Sequence, residues 1–260
     1  MTNSLADRNA LVTGGSRGIG RAIALALAAE GANVAVSSRT MSDLQEVVSE
    51  IEDSGQRSLA VECDVTDADQ ITKLVDQVVE GLGSIEILVN NAGASGSHKF
   101  IDHPDELWDR MLAINLTSVY RVSKAVVPQM VEREWGRIIN VASVASKTPT
   151  RYASAYTASK HGVLGLTRAM ALELNSFNIT VNAICPTYVD TPMTTATIAN
   201  SAKKTGRSPD EILKIIEQGN PQGRLITPEE VAAVAVLLAS DSSRGITSQA
   251  INIDGGEVLF

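Results

Sequence analysis

Three side chains in the middle of this 260-residue chain could move a proton together: Ser143, Tyr156 and Lys160. Tyr156 and Lys160 stand four positions apart at the head of an apolar-striped segment, so on a helix they share one face. A tyrosine hydroxyl titrates near pH 10 and relays protons poorly at neutral pH unless nearby positive charge stabilises the phenolate. Lys160 is spaced to supply that charge, which leads to the expectation that Tyr156 is held below its ordinary value. Ser143, at the end of an apolar run, could donate a hydrogen bond to an oxygen on which negative charge develops. A lone Tyr-x3-Lys also fits any amphipathic helix with a snorkelling lysine, so this trio needs a partner site before it carries weight.

That partner site is the run Thr13-Gly14-Gly15-Ser16-Arg17-Gly18-Ile19-Gly20, which joins an apolar strand pattern to a helical one. Gly14 permits a tight turn, Gly18 lets the backbone approach a pyrophosphate, and Gly20 allows close packing of helix on strand. The helix start offers free N–H groups and the positive end of its dipole. The spacing Gly-x3-Gly-x-Gly differs from the common Gly-x-Gly-x2-Gly, so the loop belongs to a variant of the dinucleotide fold. An acid at the end of the second strand would hold the ribose 2′-OH of NAD, but Ser37, Ser38 and Arg39 stand there. Arg39, Arg17 and the Ser38 hydroxyl could instead bind a 2′-phosphate, which points to NADP(H). The alternative is that both arginines are ordinary solvated charges.

The elements that must position these residues follow from periodicity. Short β-branched runs at 10–13, 33–37, 58–63, 87–90, 137–141, 180–184 and 250–253 alternate with helical patterns, clearest at 19–30, 67–81, 105–132, 155–175 and 228–239. This is the pattern of repeated βαβ units, hence an α/β, Rossmann-like, doubly wound parallel sheet with helices on both faces. Thr227, Pro228 and Glu230 form a helix start with a capping box. Residues 191–223, bounded by Pro192 and Pro221, break the alternation and read as a partly helical flap over a ligand. Nothing marks a domain boundary, so 1–260 is expected to be one domain.

Composition narrows the function. With 44% hydrophobic, 20% charged and only 3% aromatic residues, the core must be built from Val, Ile, Leu and Ala. A net charge of −8 without a basic stripe excludes nucleic acid as the main partner. No apolar stretch reads as a signal peptide or a membrane span, and a cytoplasmic protein is expected. Cys63 and Cys185 lack CxxC spacing, and His98, His103 and His161 lack helical ligand spacing, so no metal is expected. Trp108 and Trp135 read as packing residues.

Taken in order, Thr13 to Gly20, Cys63-Asp64-Val65, Asn90-Asn91-Ala92-Gly93, Asn115, Ser143, Tyr156-Thr157-Ala158-Ser159-Lys160 and Cys185-Pro186 with Thr191 resemble the short-chain dehydrogenase/reductases over essentially the whole chain. The nearest likeness is to the NADPH-dependent 3-oxoacyl and ketone reductases. The resemblance implies a seven-stranded sheet in the order 3-2-1-4-5-6-7, with the cofactor at the strands' carboxyl ends. It implies that Ser16, Arg17, Ile19, Ala92, Pro186 and Val189 border the dinucleotide, that Asp64 and Val65 lie against its adenine, and that Asn91 and Gly93 flank its ribose and phosphates. Thr191 would contact the carboxamide. It further implies that Asn115 interrupts its helix and holds a water linking Lys160 and Tyr156 to solvent, that Lys160 also binds the nicotinamide ribose, and that Tyr156 donates the proton.

One departure is that Pro186 is followed by Thr187 and Tyr188 where the family usually has glycine, which removes backbone freedom at the pocket floor. Expected pocket walls are residues 93–97, including Ser95, with Val144, Ala145, Tyr152, Thr187, Tyr188, Val189 and the flap from Met193 onward. Arg151 and Lys147 could meet an anionic acyl carrier, though solvated loop charges are the plainer reading. The activity expected is hydride transfer between NADP(H) and a ketone or secondary alcohol, with a 3-oxoacyl thioester or a small ketone as substrate. An NAD-dependent secondary alcohol dehydrogenase of the same family is the alternative, and a non-catalytic dinucleotide-sensing regulator a more remote one. A homotetramer of the family type is expected from the apolar helix faces at 105–132 and 155–175.

Overall fold

The apolar runs become seven parallel strands in the computed structural model, which describes residues 4–260. They are β1 (Asn9–Thr13), β2 (Asn33–Ser38), β3 (Ser58–Glu62), β4 (Ile87–Asn90), β5 (Gly136–Val141), β6 (Ile179–Pro186) and β7 (Ala250–Ile253). Their order, β3-β2-β1-β4-β5-β6-β7, is the one implied by the resemblance. The central strands β4, β5 and β6 are buried along their whole length, which is why they are rich in Val and Ile, with Asn90, Arg137, Asn140, Thr180 and Asn182 the polar residues buried among them.

Helices cover both faces. On one side α1 (Gly18–Ala29), α2 (Met41–Asp53) and α9 (Pro228–Ala239) pack Ile23, Leu27, Leu44, Ile51, Val231 and Leu238 against the sheet. On the other, α3 (Ala68–Leu82) and α5 (Ser118–Glu132) contribute Leu74, Val78, Val122, Val126 and Met130, with α6 (Ser154–Leu174) beside them. Helix α2 was not among the helices expected. Leu44, Val47, Val48 and Ile51 do stand at helical spacing, but most of the other positions are polar and Thr40 makes no side-chain cap.

The helical pattern at 105–132 is two helices joined by a wider turn rather than one. Helix α4 (Asp105–Leu112) passes into a π-helical turn at Ala113–Thr117 before α5 begins. The Ser118 N–H reaches back to the Ala113 carbonyl, and the Ser118 hydroxyl donates to the Ile114 carbonyl at 2.7 Å, satisfying a group that the wider turn frees. Residues 191–223 hold two helices, α7 (Pro192–Thr205) and α8 (Pro209–Gly219), begun by Thr191 and by a Ser208–Glu211 capping box.

Two polar features brace this frame. Beneath the carboxyl ends, Asn90 Nδ2 donates to Ser123 Oγ at 3.0 Å and to Asn140 Oδ1 at 2.9 Å, and Asn140 Nδ2 donates to Thr167 Oγ1 at 2.9 Å. This buried chain ties α5, β4, β5 and α6 at a fixed spacing. At the opposite ends, Trp135 packs as expected, but between cations: Arg8 lies 3.8 Å and Arg137 4.3 Å from its ring centroid. Arg137 is fully buried and donates to Asp241 at 2.9 Å.

Candidate functional site

The carboxyl ends of β1, β4, β5 and β6 meet at one crevice, and the glycine loop forms its first wall. Gly14 and Gly18 have φ of 64° and 55°, in the left-handed region that favours glycine. A Cβ on Gly20 would lie 2.2 Å from the Gly14 carbonyl oxygen, and one on Gly18 3.1 Å from Thr191 Cγ2. Gly20 therefore serves close packing, as expected, while Gly18 brings the loop up to the start of α7. Helix α1 has Arg17 at its cap position with no side-chain hydrogen bond, whereas α3, α8 and α9 are each capped by their own side chain. The first N–H groups of α1, next to Ser16 and Arg17, are thus left for an anion, so the loop fits a dinucleotide pyrophosphate.

The end of β2 presents Ser38 and Arg39 beside this loop. Arg17 and Arg39 are exposed, and neither enters an ion pair among the described residues. Asp64 accepts from the Thr66 N–H and hydroxyl at 2.9 and 2.8 Å, which fixes the turn after β3, and Val65 is buried. Asn91 lines the crevice, and its Nδ2 donates to the Thr13 and Gly14 carbonyls, both at 3.0 Å. The Asn91 and Ala92 N–H groups both donate to Thr13 Oγ1 at 3.1 Å, so this segment is a strap on the glycine loop.

Asn115, Ser143, Tyr156 and Lys160 line one cavity, together with Ile19, Asn91, Gly93, Pro186, Thr187, Val189, Thr191 and Met193. Asn115 sits in the π turn, and its amide makes two bonds to the Ala94 backbone: Oδ1 accepts from the N–H at 2.9 Å and Nδ2 donates to the carbonyl at 3.0 Å. Gly93 is required beside it, because a Cβ there would lie 2.8 Å from Asn115 Oδ1. Ser143 Oγ accepts from the Ala145 N–H at 3.1 Å, and its hydroxyl also shares a hydrogen bond with Tyr156. Thr194 of α7 also lines the cavity. It falls in the flap that was expected to wall the pocket from Met193 onward.

The electrostatics correct one expectation. Burial pushes the Tyr156 phenol up, a hydrogen bond with Ser143 pulls it down, and Tyr188 adds to the upward shift. Lys160 is not among the groups that shift it; its Nζ donates to the Val141 carbonyl at 2.9 Å and lies 5.9 Å from the Tyr156 ring centroid. Burial in turn pushes Lys160 down to about 8, so burial outweighs the lysine's charge among the groups the chain itself provides.

Seven expected wall residues do not line the cavity: Ser95, Gly96, Ser97, Val144, Ala145, Tyr152 and Tyr188. Ser95 Oγ lies 3.5 Å from Thr197 Oγ1, where the loop meets α7, and Lys204 of α7 donates to the Ser97 carbonyl at 3.1 Å. Ala145 is buried beneath Ser143. Tyr152 has φ 64° and accepts at its carbonyl from the His98 N–H at 2.7 Å, with its ring exposed. Tyr188 flanks the cavity closely enough to act on Tyr156. An open groove at the opposite ends of the strands, lined by Glu52, Arg57 and Leu82, holds none of the residues with chemistry. Among the described residues no group of three His, Cys, Asp or Glu side chains could hold a metal, and no helix is long and apolar enough to cross a membrane.

With this geometry in hand, comparison with known proteins is specific. The short chain dehydrogenase family profile matches residues 8–202. A Streptomyces virginiae protein, named provisionally as a ketoacyl reductase of the monensin polyketide synthase, is 45% identical over 258 residues, 98% of each chain. A D-beta-hydroxybutyrate dehydrogenase of Rhizobium meliloti is 37% identical over 96% of this chain and 98% of its own. A single-residue variant of the actinorhodin polyketide ketoreductase, crystallised with NADPH, superposes with a TM-score of 0.95 at 38% identity, covering all of both chains.

The Lys160 shift has a measurable consequence. A lysine at about 8 when folded and at its ordinary 10.5 when unfolded binds fewer protons in the folded chain across that window, so it makes stability rise with pH there. Lys160→Met removes the titration. The melting temperature of the wild type minus that of the variant should therefore increase from about pH 7.5 to about pH 10, and a difference that stays constant would contradict the burial of a titrating ammonium.

Proposed function

The chain belongs to the short-chain dehydrogenase family, and on that premise we propose that it is an NADP(H)-dependent oxidoreductase that reduces a ketone to a secondary alcohol. The observation that carries this reading is the meeting of Asn115, Ser143, Tyr156 and Lys160 in one cavity that also receives Ile19 of the glycine loop and Thr191 of α7. A protein that only sensed a dinucleotide would have no use for these four side chains together. The names of the ketoacyl reductase and the actinorhodin ketoreductase support a 3-oxoacyl thioester or a comparable ketone as the substrate.

In this reading NADPH, bound across the carboxyl ends of the strands, supplies the hydride. Gly14, Gly18 and the uncapped start of α1 hold its pyrophosphate, while Arg17, Ser38 and Arg39 take its 2′-phosphate. The Ser143 hydroxyl, which lines the cavity and shares a hydrogen bond with Tyr156, donates to the substrate carbonyl oxygen. The Tyr156 hydroxyl gives its proton to the same oxygen as the carbonyl becomes an alcohol. Its hydroxyl is protonated at neutral pH, and the Ser143 hydrogen bond, which favours the phenolate, offsets part of the cost that burial adds to giving the proton up. Lys160, which lines the same cavity, passes a proton back to the Tyr156 phenolate and is reprotonated from solvent. Both ends of the Asn115 amide are committed to Ala94, so Asn115 acts as a positioning residue, and any water it holds is left to the backbone of the widened turn. We read residues 1–260 as one catalytic domain, cytoplasmic, acting as a homotetramer. The exposed Tyr120 of α5 and Leu172 of α6 support helix-mediated assembly.

Three outcomes test the reading. On any ketone that is turned over, kcat/KM with NADPH should exceed that with NADH by roughly a hundredfold, and Arg39→Asp should shrink the ratio by tenfold or more. Equal use of the two cofactors would contradict the 2′-phosphate site. Tyr156→Phe should lower kcat by at least about a thousandfold while NADPH binding, followed by fluorescence, persists; retained turnover would remove Tyr156 from the acid role. Light scattering should give the mass of four chains, and a monomer would refute the assembly.

A further inference from the structure

The floor of the cavity carries a charge that the proposed reaction does not use. Thr187 lines the cavity just beyond β6, and its hydroxyl donates to Glu257 Oε2 at 2.5 Å. Glu257 is not a loose tail residue. Asp254, itself buried, accepts from the Gly256 N–H at 3.0 Å through Oδ1 and from the Val258 N–H at 2.9 Å through Oδ2. The Glu257 N–H closes the turn on the Asp254 carbonyl at 3.2 Å, and Asn220 Nδ2 donates to that same carbonyl at 3.2 Å. Gly255 and Gly256 take φ of 64° and 91°, and a Cβ on Gly255 would lie 2.3 Å from Asn220 Oδ1. The turn is therefore built to aim Glu257 at Thr187.

Two consequences follow for whatever enters the cavity. The Thr187 hydrogen is committed to Glu257, so toward the cavity Thr187 offers lone pairs, and it welcomes a donor while repelling an acceptor. The Glu257 carboxylate enters no ion pair among the described residues, so its field at the floor is screened only by solvent. Its reach is visible at Tyr188, whose phenol it pushes up further after burial has done so first. The one cation among the residues lining the cavity is Lys160, whose Nζ is already directed at the Val141 carbonyl beneath Tyr156. Lys147, the nearest other ammonium in sequence to Ser143, donates instead to the Ala250 and Phe260 carbonyls, at 2.8 and 2.9 Å. A free carboxylate is acceptor-only and anionic, and it finds neither a donor nor a counter-charge at this floor.

We propose that the Glu257–Thr187 pair is a specificity filter that rejects carboxylate substrates and admits neutral ketones, so that the 3-oxoacyl group is taken as a thioester, an amide or a ring ketone and not as the free 3-oxo acid. This rests on the ketone reductase reading above and sharpens it. It separates this chain from an enzyme whose alcohol is a hydroxy acid, although both kinds of name occur among its relatives. The filter works by repulsion of the wrong substrate more than by added attraction to the right one.

The test uses two substrates of nearly the same shape that differ in charge and in the presence of an N–H donor, 3-oxobutanamide and 3-oxobutanoate. With the wild type and NADPH, kcat/KM should favour the amide by about tenfold or more, and the ratio should fall with added salt. Glu257→Gln keeps the shape and removes the charge, and should lower the amide-to-acid ratio by roughly tenfold. Thr187→Val, which removes the oriented hydroxyl but leaves the carboxylate, should lower it less. A second arm needs no turnover: calorimetry of 3-hydroxybutanamide and 3-hydroxybutanoate binding to the wild type loaded with NADPH should show the same preference and the same loss of it in Glu257→Gln. Equal handling of amide and acid by the wild type in either arm, or a ratio untouched by Glu257→Gln, overturns the filter. Failure of turnover with the binding preference intact would instead overturn the ketone reductase reading.

Discussion

The two hydrogen bonds between the Asn115 amide and the Ala94 backbone are the constraint on which the site depends. They pull the loop after β4 onto the widened turn between α4 and α5, at the point where the cofactor crevice becomes the substrate cavity. Each bond contributes only about 1 kcal/mol net, but leaving the same buried groups unpaired would cost about 1–3 kcal/mol apiece, so the arrangement is effectively all or none. Gly93 has no side chain because Asn115 Oδ1 occupies the space a Cβ would need, and that same missing Cβ would lie 3.9 Å from Lys160 Nζ. Loop, helix and the buried Lys160 therefore meet at an atom that is absent.

From that point the site divides by charge. Toward β1 and β2 it is electropositive in character: an uncapped helix start, with Arg17 and Arg39 free of ion pairs among the described residues. Toward β6 and the C-terminal turn it is acceptor-rich and negative, with Thr187 tied to Glu257. Between them sits a buried tyrosine that stays protonated and a buried lysine whose ammonium is weakened. An anionic cofactor and a neutral substrate suit this gradient, and the reverse pairing would meet the wrong charge at both ends.

Much of this was legible in the residues, and the misses have physical causes. Strand positions could be read because buried parallel strands leave runs rich in Val and Ile, as at Ile87–Asn90, whereas the sheet order was implied only by the family resemblance. The capping box at Thr227 and Glu230 marked α9 from its first residue. Helix α2 was missed because most of its positions are polar and its start has no side-chain cap. The upward shift of Tyr156 was missed because helix spacing does not reveal how deeply the hydroxyl is buried, and burial is the largest cause. The bracing of the glycine loop by the Asn91 amide, from more than seventy positions away in sequence, gave no local signal. Glu257 gave no signal at all, since its partner Thr187 lies seventy residues away. Contacts of that kind are set by topology and not by local pattern.

The central claim is that hydride passes directly from the cofactor to a carbonyl carbon while Tyr156 protonates the oxygen. Incubating the enzyme with an accepted ketone and NADPH that carries deuterium at the transferring ring carbon, then reading the alcohol by proton NMR and mass spectrometry, tests it most directly. One deuterium on the carbinol carbon, with a solvent-derived proton on oxygen, is the result expected. An alcohol with protium at that carbon, or NADPH consumed with no alcohol formed, would contradict the account.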